Sequence, residues 1–145
     1  MKGKQNRPTE QGNIIDQLGS IIVMFFVFAM ILAYAAYGNV VQKRLSIDNV
    51  AKKYLYLMEQ NGQLTSDNQT DMTNELANYG VTVVNYDGTT TVNTRVAYGD
   101  TVNLVCHVLF ENPLYSVFET GDLIKIPGFN QNIEYTVELS ATSKW

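Results

Sequence analysis

The order of apolar residues in this chain predicts an α+β fold: one long N-terminal helix, apolar all round at first and amphipathic later, packed on a small antiparallel β-sheet. Three observations carry that expectation. Residues 17–42 are 26 consecutive positions without a charge. After Gly38 and Asn39, apolar residues recur at Val40, Ile47, Val50, Ala51, Tyr54 and Met58, the three-and-four spacing of one helix face. From Val81 onward the alternation has period two, as in strands that bury one face. With 145 residues, 46% hydrophobic and 17% charged, the chain has enough apolar material for one ordered domain.

The uncharged run predicts a membrane-spanning helix. Residues 21–36 (IIVMFFVFAMILAYAA) contain no strongly polar side chain, and residues 18–37 make a 20-residue span. That length crosses a hydrocarbon core of about 30 Å at 1.5 Å per residue. Tyr34 and Tyr37 stand at one end, where amphipathic rings favour the headgroup level. A buried core helix would need a larger domain to enclose it. A cleaved secretory signal is the other alternative, with residues 21–32 as its apolar region and Ala33-Tyr34-Ala35 as its cleavage pattern. Glu10 and Asp16 dilute the positive charge such a signal needs, and cutting there would sever a continuous helical pattern. The basic flanks do not decide orientation: Lys2, Lys4 and Arg7 precede the run, and Lys43, Arg44, Lys52 and Lys53 follow it. The acidic, Thr/Asn/Tyr-rich distal part favours an N-terminus inside and a C-terminal domain outside the cell.

The expected organisation is a polar leader or cytoplasmic tail at 1–13, the transmembrane helix with its amphipathic extension at 14–60, and a sheet domain with a short helix at 61–145. Asn61-Gly62 should end the first helix, with Gly at the left-handed position and Leu64 covering the last turn. Thr65-Ser66-Asp67 offer N-caps for a second helix, Ser66 and Gln69 having capping-box spacing. Met72, Leu76 and Tyr79 form its apolar stripe, and Gly80 stops it. Strands are expected at 81–86, at 89–95 after an Asp87-Gly88 hairpin turn, at 101–110 after a Tyr98-Gly99-Asp100 turn, and at 133–140. Glu111-Asn112-Pro113 should close the third of these. Residues 114–130 read as irregular, with turns at Gly121-Asp122 and Pro127-Gly128 and a short strand at 123–126.

Most chemistry is excluded by counting. One cysteine and one histidine form neither an intramolecular disulfide nor a Cys/His zinc cluster. Cys106 falls on the apolar face of its strand and His107 on the opposite face, so they make no dyad. Asp67, Asp71 and Glu75 at i, i+4, i+8 read as a solvated face in preference to a divalent-cation site. Phosphate-loop, dinucleotide, nucleophile-elbow and His-Glu-x-x-His patterns are absent, and Asn68-Gln69-Thr70 is a three-residue match to a glycosylation acceptor. Residues 1–58 carry seven basic and three acidic side chains (+4), whereas 59–145 carry three and eleven (−8). The acidic half disfavours nucleic acid as a partner. The expectation is a non-enzymatic protein with no cofactor, no metal and no small-molecule substrate. Its partners would be membrane lipid and other proteins met through the membrane helix. Ala29, Ala33 and Ala36 lie near one helix face, where small residues permit close helix approach.

A short basic leader ending in Gly12, an acidic residue at Asp16, a membrane helix that continues amphipathically, and a small antiparallel sheet together resemble type IV pilins and pseudopilins. The chain looks most similar to TadE-like minor pilins and to pilin-like proteins of secretion clusters and mobile elements in Firmicutes. The resemblance covers the architecture of the whole chain, with Gly12 to Asp16 as its specific motif. It implies leader cleavage between Gly12 and Asn13, Asp16 as the acidic assembly position, and residues 18–37 as the assembly helix. In the family the acidic residue is usually Glu, five positions after the cleavage site; here Asp16 is fourth and Gln17 fifth. A carboxylate beside a membrane helix needs a partner such as a neighbouring subunit's N-terminal amine, or a place in the headgroup zone.

Overall fold

The computed structural model describes residues 10–90, 93–118 and 131–145. Its elements in chain order are α1 (Glu10–Asn61), α2 (Ser66–Asn78), β1 (Val81–Asn85), β2 (Thr101–Glu111), α3 (Pro113–Phe118) and β3 (Asn132–Thr142). The chain is α+β, with a long apolar N-terminal helix and a three-stranded antiparallel sheet in the order β1-β2-β3. It divides into two units, Met1–Tyr37 and Gly38–Trp145, and α1 contributes to both.

In the second unit, α1 supplies Ile47, Val50, Ala51, Tyr54 and Met58 to one core. The same core takes Met72 and Leu76 from α2, Val137 from β3, and Val102, Leu104, Cys106, Val108 and Phe110 from β2. The three-and-four spacing of α1 and the period-two spacing of β2 thus face one another, which is why both patterns coexist in so short a chain. β2 is the central strand; it pairs with β3 along its whole length, from Thr101↔Thr142 to Glu111↔Asn132. β1 pairs with its far end, Val81↔Phe110, and a register shift separates Val83 from Asn85.

The ends of α1 and α2 follow from local chemistry. Gly62 has φ +68° and its amide donates to the Met58 carbonyl at 2.7 Å, while Leu64 beneath it is fully buried. Gly80, also at φ +68°, closes α2. Thr65, not Ser66, is the N-cap of α2: its hydroxyl accepts from the Asn68 amide at 3.2 Å. Tyr79 stays half exposed, so the apolar stripe of α2 is Met72 and Leu76 alone.

Two expected features differ. The described residues of 89–95 form no strand. Thr89 Oγ1 instead donates to the Val105 carbonyl (2.8 Å) and accepts from the Val105 amide (2.9 Å). Thr90 exchanges bonds with Asn103 through its own amide (2.8 Å) and hydroxyl (2.7 Å). Threonine hydroxyls, with the Thr90 amide, therefore satisfy the stretch of the β2 edge that a ladder would have occupied, through bonds between residues 13 and 16 positions apart. Asn93, at φ +58°, then turns the backbone away. The second difference is α3, where the sequence reads as irregular. Asn112 Oδ1 accepts from the Leu114 amide at 3.1 Å and Pro113 takes the first helical position, where its missing N–H costs nothing. The strand expected at 123–126, the turns at Gly121-Asp122 and Pro127-Gly128, and the polar residues 1–9 lie outside the described residues.

The C-terminus is tied down. The Lys144 amide donates to the Glu59 carbonyl (2.7 Å), its ammonium pairs with the Glu59 carboxylate (3.0 Å), and the Trp145 indole N–H donates to the Val96 carbonyl (2.9 Å). Arg95 stacks 4.3 Å from the Trp145 ring and donates to the Asn61 carbonyl at 2.9 Å. These contacts hold the last residues against the end of α1.

Candidate functional site: an uncovered apolar helix

α1 is the one helix among the described residues that is long and apolar enough to cross a membrane. Every large apolar side chain from Leu18 to Leu32 is more than a third exposed, and Tyr34 reaches 81%. Among the described residues no protein core covers this run, and none of its apolar window is buried, unlike a core helix. Burial of a large apolar side chain gains about 1.5–3 kcal/mol, so a dozen left in water would be unfavourable by tens of kcal/mol.

Gly12 and Asn13 lie inside α1, not in an extended segment before it. Asp16 is on the same helix and exposed. Ala29, Ala33 and Ala36 share one stripe by helical spacing; the first two are exposed and Ala36 is 6% exposed. All of these positions lie on a single helix, with Ala29, Ala33 and Ala36 on one face by their spacing.

The remaining candidates for chemistry are occupied. Cys106 is fully buried, and burial pushes its thiol up to about 12, leaving it neutral and poorly nucleophilic at neutral pH. His107 points the other way, its Nδ1 3.0 Å from Thr136 Oγ1 across to β3. Among the described residues no three His, Cys, Asp or Glu side chains converge to hold a metal ion. Of the acidic row on α2, Glu75 is taken by Lys53, whose ammonium lies 2.7 Å from Oε2, and by the Tyr54 hydroxyl at 3.2 Å. The bond from Lys53 holds the Glu75 carboxyl below its usual range. Burial, then the bond to Glu75, pushes Tyr54 up to about 12. Tyr86 is pushed up to about 12 by burial, with its hydroxyl 2.9 Å from Thr73 Oγ1. Tyr135, raised mainly by burial, donates to Asp48 at 3.0 Å while Arg44 stacks 5.1 Å from its ring.

Two surface features were invisible in the sequence. One is a groove of about 400 Å³ lined by residues of α1 together with Tyr79, Glu111 and Pro113. The other is a smaller depression of about 200 Å³ on the sheet face bearing Val84, His107, Leu109 and Thr136. Each needs elements distant in sequence, so only the helical spacing of Asn39, Gln42, Lys43 and Ser46 hinted at the first.

No family model, curated protein or solved structure matches the chain.

Proposed function

We propose that this chain is a non-enzymatic, membrane-anchored structural protein, a minor pilin-like or pseudopilin-like subunit of a pilus, secretion or conjugation assembly. The observation that carries the reading is α1 itself: uncovered and apolar around its first half, packed on an antiparallel sheet along its second. A subunit that must reside in lipid and then be drawn into a helix-packed assembly needs that division. Lipid surrounds the first half in the membrane, and neighbouring copies replace lipid through the Ala29, Ala33 and Ala36 stripe. In this reading the N-terminus is inside, the Gly38–Trp145 unit is outside the cell, cleavage falls between Gly12 and Asn13, and Asp16 is the acidic assembly position. The sequence resemblance to TadE-like and type IV pilins supports it; Asp16 being fourth instead of fifth after Gly12 is its departure from that pattern.

A second reading, a membrane-tethered binding module of a secretion or conjugation apparatus, is favoured by the depression around His107 on the exposed sheet face. The intact mass of the protein from its native membranes separates the readings. Loss of residues 1–12 is expected for the pilin-like subunit, a full-length chain for the tethered module, and a start near Ala36 for a secreted domain. Ala33→Phe should also abolish crosslinked oligomers while leaving membrane insertion intact; unchanged oligomers would remove the alanine stripe as the assembly face.

A further inference from the structure

The groove in the Gly38–Trp145 unit has a composition that neither reading of the function uses. Asn39, Gln42, Lys43 and Ser46 form one wall, at i, i+3, i+4 and i+7 of α1, and Tyr79 and Glu111 stand on the others. Lys43 is half-buried and held in place. Its ammonium sits 5.7 Å from the centre of the Phe110 ring, close to Gly80, where a Cβ would come within 3.6 Å of it. Among the described residues the ion pairs are Lys53–Glu75 and Lys144–Glu59, so neither Lys43 nor Glu111 has an opposite charge beside it. The groove lining thus includes one cation and one carboxylate, together with amide and hydroxyl donors.

Its place along the chain identifies what could fill it. Asn39, Gln42 and Lys43 stand two, five and six positions after Tyr37, the end of the apolar run. At 1.5 Å per helical residue Asn39 and Gln42 lie about 3 and 7.5 Å of rise beyond it, within the polar layer of about 5–7.5 Å that flanks a bilayer's hydrocarbon core, and Lys43 lies at that layer's outer edge, about 9 Å beyond it. Resting on the membrane-anchored reading above, we infer that this groove binds the headgroup of a zwitterionic aminophospholipid. The phosphate oxygens accept from the Lys43 ammonium, the Asn39 and Gln42 amides and the Ser46 hydroxyl. The headgroup ammonium donates to the Glu111 carboxylate. A choline headgroup has no N–H to give Glu111, and a glycerol headgroup has no cation, so ethanolamine is the headgroup that satisfies both charges.

The test uses the full chain reconstituted in vesicles with equal parts of phosphatidylethanolamine, phosphatidylcholine and phosphatidylglycerol. Vesicle flotation is followed by native mass spectrometry of lipids retained on the released protein. Phosphatidylethanolamine should be retained about tenfold over the other two, the scale of one hydrogen bond to a charged group. Lys43→Ala should lower retention of all three lipids about tenfold, and Glu111→Gln should abolish the ethanolamine preference alone. Because Lys43 also lies against Phe110, Gln42→Ala serves as a second variant; it should weaken retention with an unchanged circular dichroism spectrum. Equal retention of the three lipids, a preference for phosphatidylglycerol, or variants that all behave as wild type would overturn the headgroup site. A chain that fails to float overturns the membrane-anchored reading and the site with it. One that floats without lipid preference overturns the site only.

Discussion

The two halves of α1 have the same backbone conformation and meet opposite surroundings. In the first, Met24, Phe25 and Met30 are 70–75% exposed on a helix with no polar face. In the second, Ile47, Ala51 and Met58 are fully buried, while Arg44, Lys52 and Lys53 stay outside. Backbone hydrogen bonding is satisfied within the helix in either case, so it does not distinguish them. What differs is the angular spread of apolar residues. A one-sided stripe is covered by a sheet; an all-round surface has to be covered by lipid or by several other helices. Charge follows the same division. The basic first part meets the acidic second part at Lys53 and Glu75, the 2.7 Å pair that joins α1 to α2.

The largest change should come from breaking the first half's apolar surface. Phe26→Lys with Met30→Asp places two charges mid-run, each unfavourable by about 2.5–3.5 kcal/mol on insertion scales. Extraction with alkaline carbonate should then release the chain from membranes, while its near-ultraviolet circular dichroism, which reports the packed aromatic residues of the second unit, stays as in wild type. The converse break is Leu104→Ala in the fully buried centre of β2. It should cost about 2–5 kcal/mol in urea unfolding of the micelle-bound chain and leave membrane association unchanged. If either variant alters both properties, the halves are not independent.

A smaller effect is expected where α1 ends. Gly62 has φ +68°, and a Cβ there would overlap the Trp145 indole. Gly62→Ala should therefore destabilise the second unit by about 1–3 kcal/mol. It should also raise tryptophan exposure, read as a red shift in fluorescence of the single Trp145. The smallest effect concerns Glu75. Its carboxyl is held below the usual range by Lys53, so the pair adds stability above the unfolded carboxylate's pKa, near 4.3. That stability is lost as pH falls through the lower folded value. Glu75→Gln should cost under about 1 kcal/mol at pH 7, as this pair is partly solvent-exposed, and should flatten the acid limb of a stability–pH curve.

Sequence alone was a good guide wherever one chain segment sets its own conformation. The 26 uncharged residues, the left-handed glycines at 62 and 80, and the alternation through β2 and β3 are all local signals, and each maps onto the element it predicts. The Thr/Val segment at 89–95 shows where that stops. Its β-propensity is real, yet Thr89 and Thr90 meet β2 through their hydroxyls and one backbone amide, and a hydroxyl's choice between solvent and a distant backbone group is made by packing. α3 was legible in the Asn112-Pro113 pair, a cap followed by a first-turn proline, and was outweighed by the irregular composition that follows it.

By itself, then, the sequence determined a long helix whose first half needs an apolar partner all round, a basic part joined to an acidic one, and a core shared by a three-four stripe and a two-residue alternation. Those properties depend on residue order along one segment. The tertiary structure decided which strand is central, which edge the threonines close, that Glu75 belongs to Lys53, and that Lys43 and Glu111 share a groove. Each of these joins residues more than twenty positions apart or sets their register, or, for the threonines, chooses between side-chain and ladder bonding. The free energy of such contacts depends on how the elements pack together, which no single segment encodes.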